Sequence, residues 1–263
     1  MRTNLSLADP LAAFRLDGEV AIVTGGGSGL GRAIALAFAA VGARVIVLDL
    51  DAVAAGEVAA EIGEAGREAE AQALDVTDEA AVEQVFSRVF ERHGRLDVLV
   101  NSAGIAIRKP VLELTRAEWD RVIAVNTTGS FLCARAAARY MLSSGDGRIV
   151  NLASIMGLSG GLFPNASYQA SKGAVVNLTR ALAVEWARQG VRVNAIAPTF
   201  IRTALTRTVL ERPDVVAAIE RATPMGRVGE PEDVVGAALY LATRASALVT
   251  GHIIAVDGGF LAQ

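Results

Sequence analysis

Short apolar runs rich in β-branched residues recur along the chain and alternate with Ala-rich stretches long enough to form helices. Because the runs are continuously apolar, they are typical of strands buried on both faces of a sheet. The alternation predicts right-handed βαβ units, and so an α/β domain with a doubly wound parallel sheet of about seven strands and helices on both faces. The predicted strands are VAIVT (20–24), RVIVLD (44–49), a weaker run at 69–74, LDVLVN (96–101), RIVNLAS (148–154), VRVNAIAP (191–198) and HIIAV (252–256).

No internal repeat, low-complexity tract or linker divides the chain, so we predict an N-terminal arm at 1–16 and one domain at 17–263. A helix is predicted over 167–188. Residues 203–223 are too long for a simple connection, and extra chain beyond the carboxyl end of a strand often covers a ligand. We therefore predict a substrate lid at about 200–225, with a plain surface helix pair as the alternative.

Composition narrows the class of protein. With 52% hydrophobic and 20% charged residues, the chain of 263 residues is not disordered. Its single cysteine, Cys133, excludes a disulfide framework or a Cys-cluster metal site and is typical of a reducing compartment. A formal charge of -3 offers no electrostatic footprint for nucleic acid, and the longest apolar run, 33–48, is interrupted by Gly42 and Arg44. We expect a cytoplasmic protein that binds a small molecule, with no metal, nucleic-acid or membrane partner.

The first predicted strand runs into a glycine cluster, GGGSGLG at 25–31, which an Ala-rich helix follows. Glycines between a strand and a helix allow a tight turn and a close approach to a pyrophosphate, which the free N–H groups of the helix then bind. The strand before the cluster and the helix after it make this signal far more specific than glycines alone. The predicted phosphate-binding residues are Gly25, Gly27, Ser28, Gly29, Leu30 and Gly31.

The second predicted strand ends at Asp49, near the spacing from the glycines at which an acid accepts hydrogen bonds from an adenosine ribose. A carboxylate there repels a 2′-phosphate, and Leu50 rather than a basic residue follows it. Ser28 likewise occupies a loop position where a basic residue would favour NADP. These residues favour NAD as the cofactor. The alternative is that Asp49 only caps the next helix.

Tyr168 and Lys172 are four residues apart on the predicted helix, so their side chains lie on one face. A phenol is a poor base at neutral pH, and a neighbouring ammonium lowers its pKa by stabilising the phenolate. Ser154, at the end of a predicted strand, can donate a hydrogen bond to a substrate oxygen. Lysine is rare in this chain: of 25 basic residues, only Lys109 and Lys172 are lysines. The alternative is an ordinary pair on the helix surface.

Five elements in order, TGGGSGLG (24–31), NSAG (101–104), Asn126, Ser154 and YQASK (168–172), resemble the short-chain dehydrogenase/reductase family across 18–263. The resemblance implies a Rossmann fold and hydride transfer between a substrate carbon and C4 of a nicotinamide. It implies that Tyr168 is the general acid/base and that Ser154 orients the substrate oxygen. It further implies that Lys172 binds the nicotinamide ribose and lowers the pKa of Tyr168, and that Asn126 holds a water in a proton relay to Lys172.

The resemblance also implies contacts with the rest of the cofactor. Thr199 departs from the family pattern, because the family usually has Pro-Gly where this chain has Pro198-Thr199. Either the turn is built differently without glycine, or Thr199 narrows the nicotinamide side of the pocket. The implied contacts are Asp75 and Val76 at the adenine, Asn101, Ala103 and Gly104 along the adenosine, and Pro198, Thr199, Ile201 and Thr203 at the nicotinamide.

The segments FRLDG (14–18), ATPMGRVGEP (222–231) and AVDGGF (255–260) look similar to polyol, sugar-alcohol and gluconate dehydrogenases of this family. We therefore predict an NAD-dependent enzyme that interconverts a secondary alcohol, of a polyol, sugar alcohol or sugar acid, and a ketone. One alternative is an NADPH-dependent reductase of 3-oxoacyl thioesters on acyl carrier protein, which Asp49 disfavours. Another is a non-catalytic nucleotide-binding protein, which the intact catalytic set disfavours.

The resemblance further implies a homotetramer assembled through the helices at 115–140 and 167–188. Basic residues near the predicted site are interpreted separately. Arg202 and Arg207 flank the predicted lid and are candidates for pairing with an anionic substrate. Arg108 and Lys109 are interpreted as a solvated face.

Overall fold

The computed structural model describes Asp9 and residues 11–263, which form one seven-stranded sheet in the order β3-β2-β1-β4-β5-β6-β7. Every neighbouring pair of strands is parallel, so the predicted doubly wound α/β fold is confirmed. The strand order reverses between β1 and β4, and a ligand cleft is expected at the carboxyl ends of the strands at such a point. The strands are β1 (Val20–Thr24), β2 (Arg44–Asp49), β3 (Ala69–Ala73), β4 (Val98–Asn101), β5 (Gly147–Leu152), β6 (Val191–Pro198) and β7 (Ile253–Val256).

Helices cover both faces of the sheet, and each layer has its own apolar core. On one face α3, α5 and α6 bury large side chains, among them Phe86, Met141 and Trp186. On the other face α1, α2 and α9 bury Phe38, Ile62 and Leu241. The helices are α1 (Gly29–Ala40), α2 (Ala52–Glu64), α3 (Glu79–His93), α4 (Arg116–Ile123), α5 (Ser130–Ser144), α6 (Ala166–Trp186), α7 (Arg207–Leu210), α8 (Pro213–Ala222) and α9 (Pro231–Ala242).

The predicted N-terminal arm, 1–16, falls partly outside the described residues, because 1–8 and Pro10 are not described. Within its described part, Ala12–Phe14 forms a short 3-10 turn. Leu16 is buried in the core of α1 and β1, and its N–H donates to the Val41 carbonyl at 2.9 Å. Ala13 is buried as well, so packing against the domain already begins within the segment predicted as an arm.

The segment predicted as a lid folds into two short helices, α7 and α8, after β6. Val215 and Ile219 of α8 are buried against Ile155 and Phe200, which belong to the segments that follow β5 and β6. The segment therefore packs through an apolar face onto the carboxyl edge of the sheet. Its role as a lid stays a prediction.

Candidate active site

A cleft of about 540 Å³ lies at the carboxyl ends of the central strands. The structure brings most of the predicted site residues to its wall, although they are spread over much of the chain. Four of the predicted site residues do not line the cleft: Gly27, Gly31, Asn101 and Asn126. The predicted residues that do line it are Gly25, Ser28, Gly29, Leu30, Asp49, Leu50, Asp75, Val76, Ala103, Gly104, Ser154, Tyr168, Lys172, Pro198, Thr199, Ile201 and Thr203.

The glycine loop between β1 and α1 is packed so tightly that side chains would not fit. Gly25 has a φ of +63°, and a Cβ there would lie 2.8 Å from the backbone of Ala103. A Cβ on Gly31 would collide with the Gly25 carbonyl, so Gly31 supports the loop from behind the cleft wall. This close approach of bare backbone and the N-terminus of α1 fits a bound pyrophosphate.

Asp49 is held at the loop and does not cap α2. One of its carboxylate oxygens accepts a hydrogen bond from Gly27 N at 2.9 Å, and the other accepts from Asp51 N at 3.1 Å. The cap of α2 is Asp51, whose carboxylate accepts from the backbone of Val53 and Ala54. The helix-cap alternative for Asp49 is therefore removed, and its carboxylate lies in the cleft wall beside the phosphate loop.

Asn101 lies behind the cleft wall and joins secondary structure elements. Its side-chain amide donates to Asn151 Oδ1 at 2.9 Å and to the Ser130 carbonyl at 3.2 Å. It therefore ties β4 to β5 and to α5, so its contribution to a cofactor site is to hold the wall in place.

Asn126 is fully buried in a π-helical turn, Ala124–Gly129, between α4 and α5. Such turns occur frequently at functional sites. Its Oδ1 accepts from Ile105 N at 2.8 Å, and its Nδ2 donates to the Ile105 carbonyl and to Ser171 Oγ, both at 2.9 Å. Asn126 thus clamps the loop after β4 to α6, one turn from Tyr168 and Lys172. The predicted relay to Lys172 stays a prediction.

Ser154, Tyr168 and Lys172 meet at one end of the cleft. Ser154 follows β5, and its Oγ accepts a hydrogen bond from Met156 N at 3.1 Å while the residue lines the cleft with Tyr168. Lys172 lies one helical turn after Tyr168, with Nζ 5.7 Å from the centre of the phenol ring. The ammonium donates to the Leu152 carbonyl at 2.6 Å and is almost completely buried. Ser154 and Tyr168 thus present two hydroxyl groups to the cleft, with the Lys172 ammonium beside them.

The surroundings of Tyr168 act on its pKa in opposite directions. Burial raises the pKa of Tyr168, while the nearby Ser154 hydroxyl and the positive charge of Arg108 act to lower it. The effect of Lys172 on the pKa of Tyr168 stays a prediction; its Nζ lies over the phenol ring and donates to the Leu152 carbonyl. Burial lowers the pKa of Lys172 itself to about 8.

Arg108 is a site residue that the sequence interpretation missed. It lines a second pocket of about 50 Å³ together with Ser154 and Tyr168, and its guanidinium donates to the Leu205 carbonyl at 3.0 Å. Among the described residues no carboxylate pairs with it, whereas Lys109 pairs with Glu118. The interpretation of Arg108 as part of a solvated face is wrong, because the residue is partly buried and lines this pocket. Its position shortly after NSAG was the available signal.

Arg202 and Arg207, which were the candidates for pairing with an anionic substrate, lie away from both cavities. Arg202 is exposed and pairs with Glu230 at 3.0 Å, and Arg207 is exposed at the start of α7. Neither lines the cleft or the pocket. Of these three arginines, only Arg108 lines a cavity that Ser154 and Tyr168 also line.

The turn at Thr199 is also resolved by the geometry. No residue other than glycine has a positive φ in the part of the chain that the structure describes, so this turn does not require glycine. Thr199 N donates to the Val256 carbonyl at 3.1 Å, which extends the ladder between β6 and β7. The side chain of Thr199 lines both the cleft and the smaller pocket. The turn is thus built without a positive φ, and narrowing of the nicotinamide side by Thr199 stays a prediction.

Neither a metal-ligand cluster nor a membrane-spanning helix is found among the described residues. No group of three or more His, Cys, Asp or Glu side chains there is arranged to hold a metal ion. None of the helices in the described part of the chain combines the length and apolar character needed to cross a membrane.

Comparison with known proteins gives the family. The family model described as "Enoyl-(Acyl carrier protein) reductase" matches residues 25–261. The chain is 48% identical over 254 residues to galactitol 2-dehydrogenase (L-tagatose-forming) of Cereibacter sphaeroides, covering 96% of this chain and 98% of the relative. The chain belongs to the short-chain dehydrogenase/reductase family.

Two other members of the family show how closely the fold and sequence agree. D-threitol dehydrogenase of Mycolicibacterium smegmatis is 41% identical over 247 residues, which are 94% of this chain and 94% of the relative. The crystal structure of a gluconate 5-dehydrogenase from Burkholderia cenocepacia in complex with NADP and tartrate superposes with a TM-score of 0.94. That structure is 34% identical and covers 97% of this chain and 100% of its own.

As a short-chain dehydrogenase/reductase, the protein is an oxidoreductase that acts on CH–OH groups with a nicotinamide cofactor. It interconverts secondary alcohols and ketones. The named relatives do not favour the alternative of a 3-oxoacyl-thioester reductase.

Proposed function

We propose that this short-chain dehydrogenase/reductase uses NAD to oxidise one secondary alcohol of a polyol, sugar alcohol or sugar acid to a ketone, and the reverse. The observation that carries the proposal is the meeting of Ser154, Tyr168 and Lys172 at one end of a cleft. The glycine loop and Asp49 line the other end of that cleft. A dinucleotide lying along the cleft would place its nicotinamide beside the three side chains.

The cleft residues fit such a cofactor. The glycine loop and the N-terminus of α1 would bind the pyrophosphate, and Asp49 would accept hydrogen bonds from the adenosine ribose. Lys172 would bind the nicotinamide ribose, where a Cβ added to Gly104 would lie 3.7 Å from its Nζ. When bound, the nicotinamide supplies the acceptor or donor of the hydride. The remaining contacts would be Asp75 and Val76 at the adenine, Ala103 and Gly104 along the wall, and Pro198, Thr199, Ile201 and Thr203 at the carboxamide.

The protein's own part in the chemistry is positioning and proton transfer. Tyr168 takes the proton from the substrate hydroxyl during oxidation and returns it to the oxygen during reduction. Ser154, which lines the same cavities as Tyr168, donates to the substrate oxygen and orients it. Arg108 stabilises the phenolate form of Tyr168, since its positive charge lowers the phenol pKa. Asn126 holds the wall beside Lys172 and would bind the relay water.

The choice of NAD rests on Asp49. Its carboxylate faces the cleft and is fixed by the Gly27 N–H, so a 2′-phosphate at the ribose would meet a negative charge. Arg32, the first basic residue after the loop, is paired through two hydrogen bonds, at 2.8 and 2.6 Å, with Glu61. A phosphate at the ribose would therefore have to compete with Glu61 for Arg32. The related gluconate 5-dehydrogenase structure holds NADP, which makes the cofactor the first property to test.

The substrate class follows from the relatives and from the pocket. Relatives named for galactitol and threitol support polyols, and one named for gluconate supports sugar acids. Arg108 supports sugar acids in particular, because a carboxylate would pair with its guanidinium inside the pocket. Polar substrates also fit the hydroxyl, amide and guanidinium groups that the pocket exposes.

The proposal also includes a homotetrameric assembly, a cytoplasmic location and a substrate lid. The exposed apolar side chains of Phe131 on α5 and Val184 on α6 support a homotetramer assembled through helix faces. The single buried cysteine, Cys133, supports a reducing, cytoplasmic location. The contact of Arg108 with Leu205 supports a substrate lid at 200–225, since it ties that segment to the pocket.

A substrate and cofactor panel tests the proposal. Polyols, sugar acids and simple secondary alcohols are incubated with NAD or NADP, and 3-oxoacyl thioesters with NADH or NADPH, while the reduced-nicotinamide absorbance is recorded. We expect NADH to form with polyols or sugar acids and little turnover with NADP. Turnover restricted to 3-oxoacyl thioesters with NADPH would overturn the proposal.

A further inference from the structure

Two of the segments that look similar to polyol dehydrogenases, ATPMGRVGEP (222–231) and AVDGGF (255–260), meet in the structure, although α9 lies between them in the chain. Met225 N donates to the Gly258 carbonyl at 3.0 Å. Gly258 has a φ of +60°, and a Cβ there would lie 2.7 Å from Thr223 Cγ2, so glycine permits this close approach. The mechanism described above uses neither side of this junction.

The chain after β7 forms a compact turn that its own hydrogen bonds fix. The two carboxylate oxygens of Asp257 accept from Gly259 N and Leu261 N, both at 2.9 Å. Phe260–Ala262 then forms one 3-10 turn. We refer to residues 257–263 as the clasp. Because its conformation is set from within, the clasp is suited to support a neighbouring element.

That neighbour is α8. The helix has 10 residues and buries only Val215 and Ile219, and a helix this short depends on tertiary contacts for its position. Ala222 is its last residue, and the last carbonyls of a helix have no partner within the helix. Gln263 Nε2 of the clasp donates to the Ala222 carbonyl at 2.7 Å. The clasp therefore completes the end of α8.

Apolar contacts connect the clasp to the small pocket through α8. Phe260 and Leu261 pack against a buried cluster that includes Val215 and Ile219 of α8. Phe260 and Leu261 themselves line neither cavity. The cluster also contains three residues that line the pocket of about 50 Å³: Ile155, Met156 and Phe200. The clasp thus supports the apolar wall of the pocket from behind.

The base of the segment that carries α7 and α8 is fixed separately. Gly229 N donates to the Phe200 carbonyl, and Arg202 N donates to the Gly229 carbonyl, both at 2.9 Å. These two bonds join the ends of the segment. Loss of the clasp contacts is therefore expected to free α8 locally, with the base still closed.

We propose that the clasp holds α8 against the small pocket, with Phe260 as the main positioning residue, and so sets the affinity for the substrate without touching it. The inference rests on the proposed function, because α8 belongs to the segment proposed as a lid. A pocket wall that is in place only part of the time lowers the apparent affinity by that fraction. No residue of α8 or of the clasp lines the cleft proposed for the cofactor, so cofactor affinity stays unchanged.

Hydrogen exchange followed by mass spectrometry tests the clasp without any substrate. Phe260→Ala removes the apolar contact and should speed up exchange in α8 roughly 10-fold, while peptides from the central strands exchange as in the wild type. Phe260→Leu keeps an apolar side chain at this position and should remain within about 3-fold of the wild type.

Steady-state kinetics test the consequence for the substrate. The probe is galactitol, or the alcohol of the panel with the highest kcat/KM if galactitol is not oxidised. Phe260→Ala should raise KM roughly 5- to 10-fold, because the closed pocket is less populated. Its kcat and its NADH dissociation constant, measured by fluorescence, should stay within about 2-fold of the wild type, and Phe260→Leu should largely restore KM.

The matched control is Ile254→Ala. Ile254 lies on β7, is also partly buried, and packs against the core on the side of α1 and α9. It lines neither cavity and is not part of the apolar cluster at α8. Urea denaturation checks that both variants are folded. The control should leave KM and the exchange of α8 unchanged.

Unchanged exchange of α8 in Phe260→Ala would overturn the clasp, and so would exchange that rises equally across the whole fold. The proposal also fails if Ile254→Ala raises KM as much as Phe260→Ala does, or if weaker NADH binding accounts for the rise. A wild-type enzyme that oxidises no alcohol in the panel refutes the proposed function, while the exchange of α8 still decides whether the clasp holds the helix.

Discussion

Lys172 carries a buried positive charge, and its replacement by methionine is expected to stabilise the substrate-free fold while abolishing activity. Burial lowers the pKa of Lys172 from an ordinary 10.5 to about 8, with only 5% of the residue exposed. That difference corresponds to roughly 3 kcal/mol lost to folding at pH 7, where both the folded and unfolded chains carry the charge. Lys172→Met also loses the hydrogen bond to the Leu152 carbonyl, which contributes about 1 kcal/mol. The variant should therefore be more stable by about 2 kcal/mol at pH 7.

The stability difference between wild type and Lys172→Met should depend on pH. Between about pH 8 and 10.5 the unfolded chain binds more protons at Lys172 than the folded chain does, so wild-type stability rises with pH across this window. Lys172→Met lacks this contribution. The stability difference between the two proteins should therefore shrink to about zero by roughly pH 9.5.

Urea denaturation followed by tryptophan fluorescence, without cofactor, measures the free energy of unfolding at pH 7 and pH 9.5. Lys109→Met is the matched control, since it changes the chain's other lysine, which is half exposed and paired with Glu118. Its effect should stay below about 1 kcal/mol and should not depend on pH in this range. A Lys172→Met protein that is less stable than wild type at pH 7, or a difference that is the same at both pH values, would refute the reasoning.

Three further predictions concern the cofactor, the proton and the core. Asp49→Asn should weaken NADH binding roughly 10-fold or more and improve NADPH binding, since it removes the carboxylate charge; fluorescence titration with both cofactors measures the change. Arg108→Gln should shift the pH profile of alcohol oxidation to higher pH, because the arginine charge lowers the pKa of Tyr168, and Arg108→Lys should largely restore it. Arg148→Met should destabilise the fold by about 3–5 kcal/mol, since it leaves the buried carboxylate of Glu19 unpaired; urea denaturation measures the loss, and a loss below about 1 kcal/mol would contradict it.

The strands were the most predictable part of the fold. The apolar runs at 20–24, 44–49 and 191–198 coincide with β1, β2 and β6, because each is buried along its length and bounded by polar or turn residues. The run at 69–74 was weaker because β3 is an edge strand whose residues, AEAQA, are at most half-buried. The more deeply a strand is buried in the sheet, the more continuously apolar its sequence is and the more easily it is predicted.

The spacing of site residues was also readable from the sequence, while their partners were not. Residues four apart on a helix lie on one face, so the sequence predicted that Tyr168 and Lys172 are neighbours, as they are in the structure. The bond from Lys172 to the Leu152 carbonyl depends on how α6 crosses β5, which no local pattern records. For the same reason the sequence alone could not exclude that Asp49 caps α2. In the structure the cap of α2 is Asp51.

The surroundings of Arg108 and Thr199 could not be predicted from the sequence. Both lie on segments that follow strands, and the path of such a segment depends on tertiary packing rather than on propensity. Arg108 was interpreted as solvated, yet it lies beside Tyr168 with no acidic partner among the described residues. The backbone geometry of the turn at Thr199, which has no positive φ, likewise could not be predicted from the sequence.

Transfer of deuterium tests the central claim most directly. Sugar alcohols deuterated at their secondary carbinol carbons are incubated with NAD and the enzyme, and the reduced cofactor is analysed by mass spectrometry. We expect one deuterium in the NADH formed by the wild-type enzyme and no reduced cofactor with Tyr168→Phe, which retains NADH binding. Reduced cofactor without deuterium, or the same deuterated product from Tyr168→Phe, would contradict hydride transfer from a secondary alcohol with Tyr168 as the acid/base.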